Sequence, residues 1–219
     1  MVSESVEDYL SAIYVLTRRN RAAKTNDIAN RLKVSPASVS EMLKKLSERD
    51  LVKYEKYKGV TLTEGGMGLA RRVRRRHRLL EKFLTDVLGM KREKSHEEAC
   101  RLEHIVSDES LKRMCQMVHD PETGVEGMPF EECNDNCNAL SGEPSVTLGE
   151  LNEGEDATIS FITCNHPGKV RRLISMGFVP GRRVKMEEEI PMGGPFLVKL
   201  DECKVALAGD LANLIHVKR

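Results

Sequence analysis

The sequence predicts a mainly α protein with a β appendage: a winged helix-turn-helix, a helical layer for dimerisation and a small C-terminal β-barrel. Three observations lead there. Aromatic residues make up only 4% of the 219, with no tryptophan, while leucine, valine, lysine, arginine and glutamate abound, a composition that favours helices over a β-sandwich. A Ser-Pro helix start at Ser35-Pro36 sits between two short amphipathic segments and is followed by a basic hairpin. From Val146 onward, helical spacing gives way to short alternating runs separated by turn residues. The boundaries expected are 1–63, 64–140 and 141–219.

Bulk properties exclude several classes. Lys and Arg number 35 against 34 acids, so a nucleic-acid partner must be argued from local runs. No stretch of 18 apolar residues is present, and the N-terminus carries acids where a leader would carry basic residues. The six cysteines show no secreted disulfide framework. No membrane association and a reducing cytoplasmic location are therefore expected.

In chain order, Val6, Tyr9, Leu10, Ile13 and Leu16 recur at three- and four-residue steps and predict a helix over 4–18. Asp8 lies beside that stripe, where a first-turn acid favours the helix dipole. A helix from about Asn26 to Leu32 and a second opened by Ser35 as N-cap and Pro36 at the first helical position make the helix-turn-helix. The second helix of this plan places its N-terminal residues in the major groove of double-stranded DNA. Thr25, Ser35, Pro36, Ala37, Ser38 and Ser40 are the small residues suited to close approach, and Lys44, Lys45 and Arg49 can neutralise phosphates. Glu41 is anomalous there: an acid next to DNA must accept from a cytosine amino group or point away. Residues 51–63 alternate about Lys58-Gly59 as a wing, whose Lys53, Lys56 and Lys58 make salt-sensitive phosphate contacts.

A long helix follows, from Thr63 to about Leu88. Its six arginines in 71–78 form a solvated face or a further DNA contact, and its apolar residues exceed what one small domain needs. His77 and Glu81 stand four residues apart on it. In a helix predicted over 96–107, His96, Cys100, Glu103 and His104 occupy one side at i, i+4, i+7 and i+8. The alternative to a ligand face is an amphipathic helix with charged residues and one buried cysteine. Thiolate, carboxylate and imidazoles together suit iron or manganese better than calcium or magnesium. Residues 119–145 read as a linker; Cys133 and Cys137 could bind zinc with Cys115 or His119, or be free thiols.

Residues 1–140 resemble the diphtheria toxin repressor family of metal-dependent transcriptional regulators. The resemblance is carried by Val6-Glu-Asp-Tyr-Leu-Ser-Ala-Ile-Tyr14, Val34-Ser-Pro-Ala-Ser-Val-Ser40, His77-Arg-Leu-Leu-Glu81 and His96-Glu-Glu-Ala-Cys-Arg-Leu-Glu-His104. It implies a homodimer in which Fe(II) or Mn(II) fills two sites and orders the DNA-binding domains for a palindromic operator. Asp8, Cys100, Glu103 and His104 match the regulatory site; His77, Glu81 and His96 match the ancillary site. Cys100 is of the iron-sensing type and Asp8 of the manganese-sensing type, while Ser11 lacks the latter's second acid. Residues 146–219, with Gly168-Lys-Val-Arg-Arg-Leu-Ile-Ser-Met-Gly-Phe-Val-Pro-Gly181, are similar to the SH3-like domain shared with the FeoA protein of ferrous transport. There His166 corresponds to an ancillary ligand, against a surface-loop histidine, and Lys169 replaces another ligand. Two rival functions remain at this level: a metal-dependent enzyme using the same donors, and an adaptor to a ferrous transporter.

Overall fold

A computed structural model of the chain describes residues 3–17, 22–55, 58–118, 145–163, 166–191 and 193–219. They form two compact units, 1–76 and 77–219.

The first unit opens with α1 (Glu4–Thr17), α2 (Thr25–Leu32) and α3 (Pro36–Glu48). Leu10, Ile13, Ile28, Val39, Leu43 and Leu46, each essentially inaccessible, interlock the three helices. Lys33 takes a left-handed conformation at φ 55°, its N–H and that of Val34 both donating to Ala29 O, which closes α2 as a Schellman-like turn. Ser35 then caps α3 by accepting from Ser38 N at 3.1 Å, with Pro36 in the first turn. Replacing Ser35 with alanine removes that acceptor and is expected to cost about 1 kcal/mol. In urea the midpoint should fall with the slope unchanged; an unmoved midpoint would remove the cap from the account of this turn.

The wing is β1 (Val52–Glu55) paired antiparallel with β2 (Gly59–Leu62), from Val52 opposite Leu62 to Glu55 opposite Gly59. Lys56 lies outside the described residues. Ala23 and Val60 exchange backbone hydrogen bonds at 2.9 Å, so the segment before α2 forms a third rung. Gly59 is required here. Its φ is +115°, and a β-carbon would stand 2.7 Å from Ala23 O. Thr63 then caps α4 (Glu64–Asp86): its hydroxyl accepts from Gly66 N at 3.1 Å and donates to Asp50 O at 2.7 Å.

The second unit contains the rest of α4, α5 (Arg92–Leu102), α6 (Asp108–Met117) and the C-terminal domain. Leu79, Leu80, Leu84, Ala99, Leu111 and Val118 make the helical core. The helix expected over 96–107 is displaced: it runs from Arg92 to Leu102, with Glu103 at its C-cap. Ile105 N and Val106 N both turn back to Leu102 O, after which Ser107 caps α6 through Ser110 N at 3.2 Å. That second cap forces the chain to turn, so the four-residue ligand face is cut between Cys100 and Glu103.

The C-terminal domain holds β3 (Val146–Thr147), β4 (Asp156–Ile162), α7 (Pro167–Ser175), β5 (Arg183–Glu189), β6 (Phe196–Leu200), β7 (Cys203–Leu207), α8 (Gly209–Ala212) and β8 (Ile215–Lys218). The strands lie in the order β3-β8-β4-β5-β6-β7, with every neighbouring pair antiparallel. Phe178, Ile159, Ile162, Leu173, Met186 and Val198 fill its interior. The domain meets the helical part where Arg171 Nη1 donates to Asp86 O at 3.3 Å and to Thr85 O at 3.4 Å at the end of α4. Val87 packs against both cores. The helix carrying His77 and Glu81 thus has its C-terminus satisfied by a cation.

Candidate metal centre

Two helices supply most of the donors. On α4, His77 and Glu81 stand one turn apart, and the buried Leu79, Leu80 and Leu84 anchor that stretch in the helical core. On α5, His96 and Cys100 are likewise one turn apart, held by the buried Ser95 and Ala99. The two pairs meet. His77 Nε2 is 3.1 Å from His96 Nδ1, and the two rings are edge-to-face with centroids 4.8 Å apart. Glu81 reaches both imidazoles, at 3.7 Å to His77 Nε2 and 3.5 Å to His96 Nδ1. Cys100 Sγ lies 3.9 Å from His77 Nδ1 and 4.0 Å from His96 Nε2.

Past the end of α5, Glu103 is buried, and its Oε2 stands 2.7 Å from His77 Nδ1, while its Oε1 is 3.4 Å from His104 Nε2. His77 is therefore shared. It touches Glu81 and His96 on one side and Cys100 and Glu103 on the other, linking the candidate donors His77, Glu81, His96, Cys100, Glu103 and His104 into one string. Helical spacing put Cys100 on one side with His96, Glu103 and His104, and the family resemblance grouped it with Glu103 and His104; within the fold its sulfur stands against both His77 and His96. Asp8, half-buried on α1, belongs to the first unit.

Burial disfavours a charge on His77, but hydrogen bonds to Cys100 and Glu103, together with their negative charge, outweigh it and raise its pKa to about 9. Protonated, His77 donates Nδ1–H to Glu103 and Nε2–H to His96. A cation already holds the acidic donors together. A divalent ion would take over that role, since His77, His96 and Cys100 offer ligand atoms all within 4.8 Å of one another. Side-chain movements of about an ångström would bring such atoms to bonding distance of one centre, and an N, O and S donor set fits a first-row divalent ion.

His166 has a different place. Its Nδ1 accepts from Gly168 N at 3.2 Å as the N-cap of α7, and Lys169 pairs with Asp210 at 2.7 Å within the same domain. Neither belongs to the donor groups found among the described residues. Cys133, Cys137 and His119 lie outside those residues; Cys115 and Cys203 are not in disulfides.

The DNA-facing candidates lie on one unit. Ser35, Pro36, Ala37, Ser38, Lys44 and Lys58 are exposed, and Thr25 and Ser40 half-exposed. Lys58 is paired with Glu55 at 2.6 Å and Lys45 with Glu41 at 2.7 Å. The hydrogen bond from Lys45 and its charge hold the Glu41 carboxyl below its ordinary range. These two ion pairs on the basic surface could not be read from residue type alone, because both depend on rotamers at i, i+3 and i, i+4.

Residues 1–60 match the family model of the iron dependent repressor N-terminal DNA binding domain, and residues 63–130 that of its metal binding and dimerisation domain. The chain belongs to the iron-dependent repressor family. Residues 146–219 match the FeoA domain. Among relatives of this repressor, the iron-dependent repressor IdeR of Mycobacterium tuberculosis is 30% identical over 99% of this chain and 97% of its own. The regulator MntR of Bacillus subtilis is 38% identical over 54% of this chain and 82% of its own. A solved manganese-dependent transcriptional repressor in complex with manganese aligns at 29% identity and a TM-score of 0.52, covering 97% of this chain and 99% of that one. The IdeR structure from T. acidophilum gives 26% and 0.51, covering 100% and 98%. The repressor is thus a metal-dependent transcriptional regulator, and the catalytic alternative for its donors is set aside. No helix among the described residues is long and apolar enough to cross a membrane.

Proposed function

We propose that this repressor is activated by Fe(II) and then binds palindromic operators of metal-homeostasis genes as a homodimer, with Mn(II) as the alternative activator. The observation that carries the metal preference is the position of Cys100. Its sulfur faces two imidazoles, and a thiolate among nitrogen donors favours the softer, later ion of the pair. Asp8, as a hard oxygen donor, is the argument for manganese.

Asp8, Cys100, Glu103 and His104 are assigned to the regulatory site, and His77, Glu81 and His96 to the ancillary one. The bound ion supplies a divalent charge able to hold ligands from separate elements at once. Asp8 sits on the helix packed against α2 and α3, so its engagement would orient the recognition helix. The ligation energy then shifts the population toward the orientation that fits two half-sites. Dimerisation is supported by the match to the dimerisation domain and by Leu88 and Ile105, which are 58% and 76% exposed in the second unit. His166 stays a candidate ancillary ligand only through Nε2, because Nδ1 is used in the cap.

The test is anaerobic capture of genomic DNA fragments by the purified protein with chelator, with ferrous ion and with manganous ion. A shared palindrome enriched only with metal is the expected result, more strongly with ferrous ion. Stronger enrichment with manganous ion would overturn the iron assignment, and equal enrichment in chelator would overturn metal activation.

A further inference from the structure

The first two turns of α3 are poor in side chains able to reach a base edge. Val39 and Leu43 are fully buried, Met42 packs partly against the same core, and Ala37 has no polar atom. The hydroxyls are engaged locally: Ser38 Oγ is 2.8 Å from Ser35 Oγ, and Ser40 Oγ donates to Pro36 O at 3.0 Å. Glu41 remains. Its side chain is 69% exposed and extends from the second turn, with Lys44 and Lys45 immediately after it.

We propose that Glu41 is the sequence-reading residue of this helix and selects a cytosine in each operator half-site. The inference rests on the reading above that α3 enters the major groove. An ionised carboxylate only accepts hydrogen bonds. Guanine presents two acceptors to the major groove, thymine presents one, and adenine sets its N7 acceptor beside its amino group. Cytosine alone offers the N4 amino group without an acceptor on the same base. Glu41 is therefore attracted to one base and repelled by the others, which is selection by repulsion as much as by contact. Repulsion from phosphates is offset by Lys44 and Lys45. The Lys45 pair does not lock the carboxylate away, since an exposed i, i+4 pair is weak and screened by salt. On DNA, Lys45 exchanges Glu41 for a phosphate oxygen and the carboxylate turns to the base.

The test is selection from a random duplex library by the full-length, metal-loaded protein, comparing the original chain with Glu41→Ala and Glu41→Gln. The original chain should enrich cytosine about ten-fold over other bases at one symmetric position. Glu41→Ala should even out that position alone, and Glu41→Gln should move it to adenine, whose N6 and N7 suit a carboxamide. The same cytosine preference in Glu41→Ala would overturn the inference. If the original chain enriches no sequence with metal, operator binding itself fails, an outcome distinct from a motif that survives the substitution.

Discussion

Replacing Glu103 with alanine should reduce DNA affinity in the presence of metal to the value measured in chelator, a loss of the whole metal-dependent factor. That factor is on the order of 5–150-fold for typical coupling between two sites. Glu103 is assigned to the regulatory site, and its carboxylate is buried against both His77 and His104. Its removal deletes a proposed ligand and also leaves His77 without its closest negative neighbour. Because the second effect could loosen the helical core, Glu103→Gln is the companion variant. The carboxamide keeps the shape and a hydrogen bond to His77 but supplies a much poorer ligand, so it should lose the metal response with little loss of stability. By linkage, operator DNA should tighten metal binding in the original chain and fail to do so in either variant. Anisotropy titrations with and without metal decide the matter: equal losses in both conditions would refute the assignment of Glu103 to metal activation.

A second large effect is expected in the first unit, at Gly66. A β-carbon there would stand 1.9 Å from Leu51 O and 2.9 Å from Leu51 C. The same carbonyl accepts from Thr63 N at 3.1 Å where the wing runs into α4, so neither side can yield without breaking that junction. Gly66→Ala should destabilise the unit by about 3 kcal/mol, the upper end of over-packing costs. Gly68, two residues on, has nothing within 4 Å of its would-be β-carbon. There alanine should stabilise, by about 0.8 kcal/mol, through helix propensity alone. Urea midpoints of the two variants should move in opposite directions, and a common direction would refute the close approach.

The sequence could be read furthest where one local rule settles one local structure. Ser35-Pro36 announces a helix start because cap and ring act within one turn, and the expected cap is present. The strands of the C-terminal domain follow from alternating residues between turns: the runs at 156–162, 183–187 and 204–207 fall in strands, and that at 195–200 does so from Phe196 onward. The helix over 96–107 failed for a related reason. Periodicity reports which residues could share a face, yet Ser107 opens its own helix, and two competing caps a few residues apart cannot be ranked from spacing. Segment 168–181 became partly helical because Val170 and Leu173 bury one face of α7 in the barrel core, a contact that exists only once the sheet is formed.

The same division runs through the metal centre. Residue chemistry alone determined the class of donors, since imidazole, carboxylate and thiolate carry their ligand preferences wherever they are placed. The pairs His77 with Glu81 and His96 with Cys100 were also legible, being neighbours on single helices. Only the packing of α4 against α5 decided that His77 touches Cys100, Glu103, His96 and Glu81 together. Those contacts span 4 to 26 residues of chain, and against the opposing effect of burial the hydrogen bonds and charge of Cys100 and Glu103 raise His77 to about 9. An ion pair or a ligand set of this kind depends on distances in the folded state, which no one-dimensional spacing encodes.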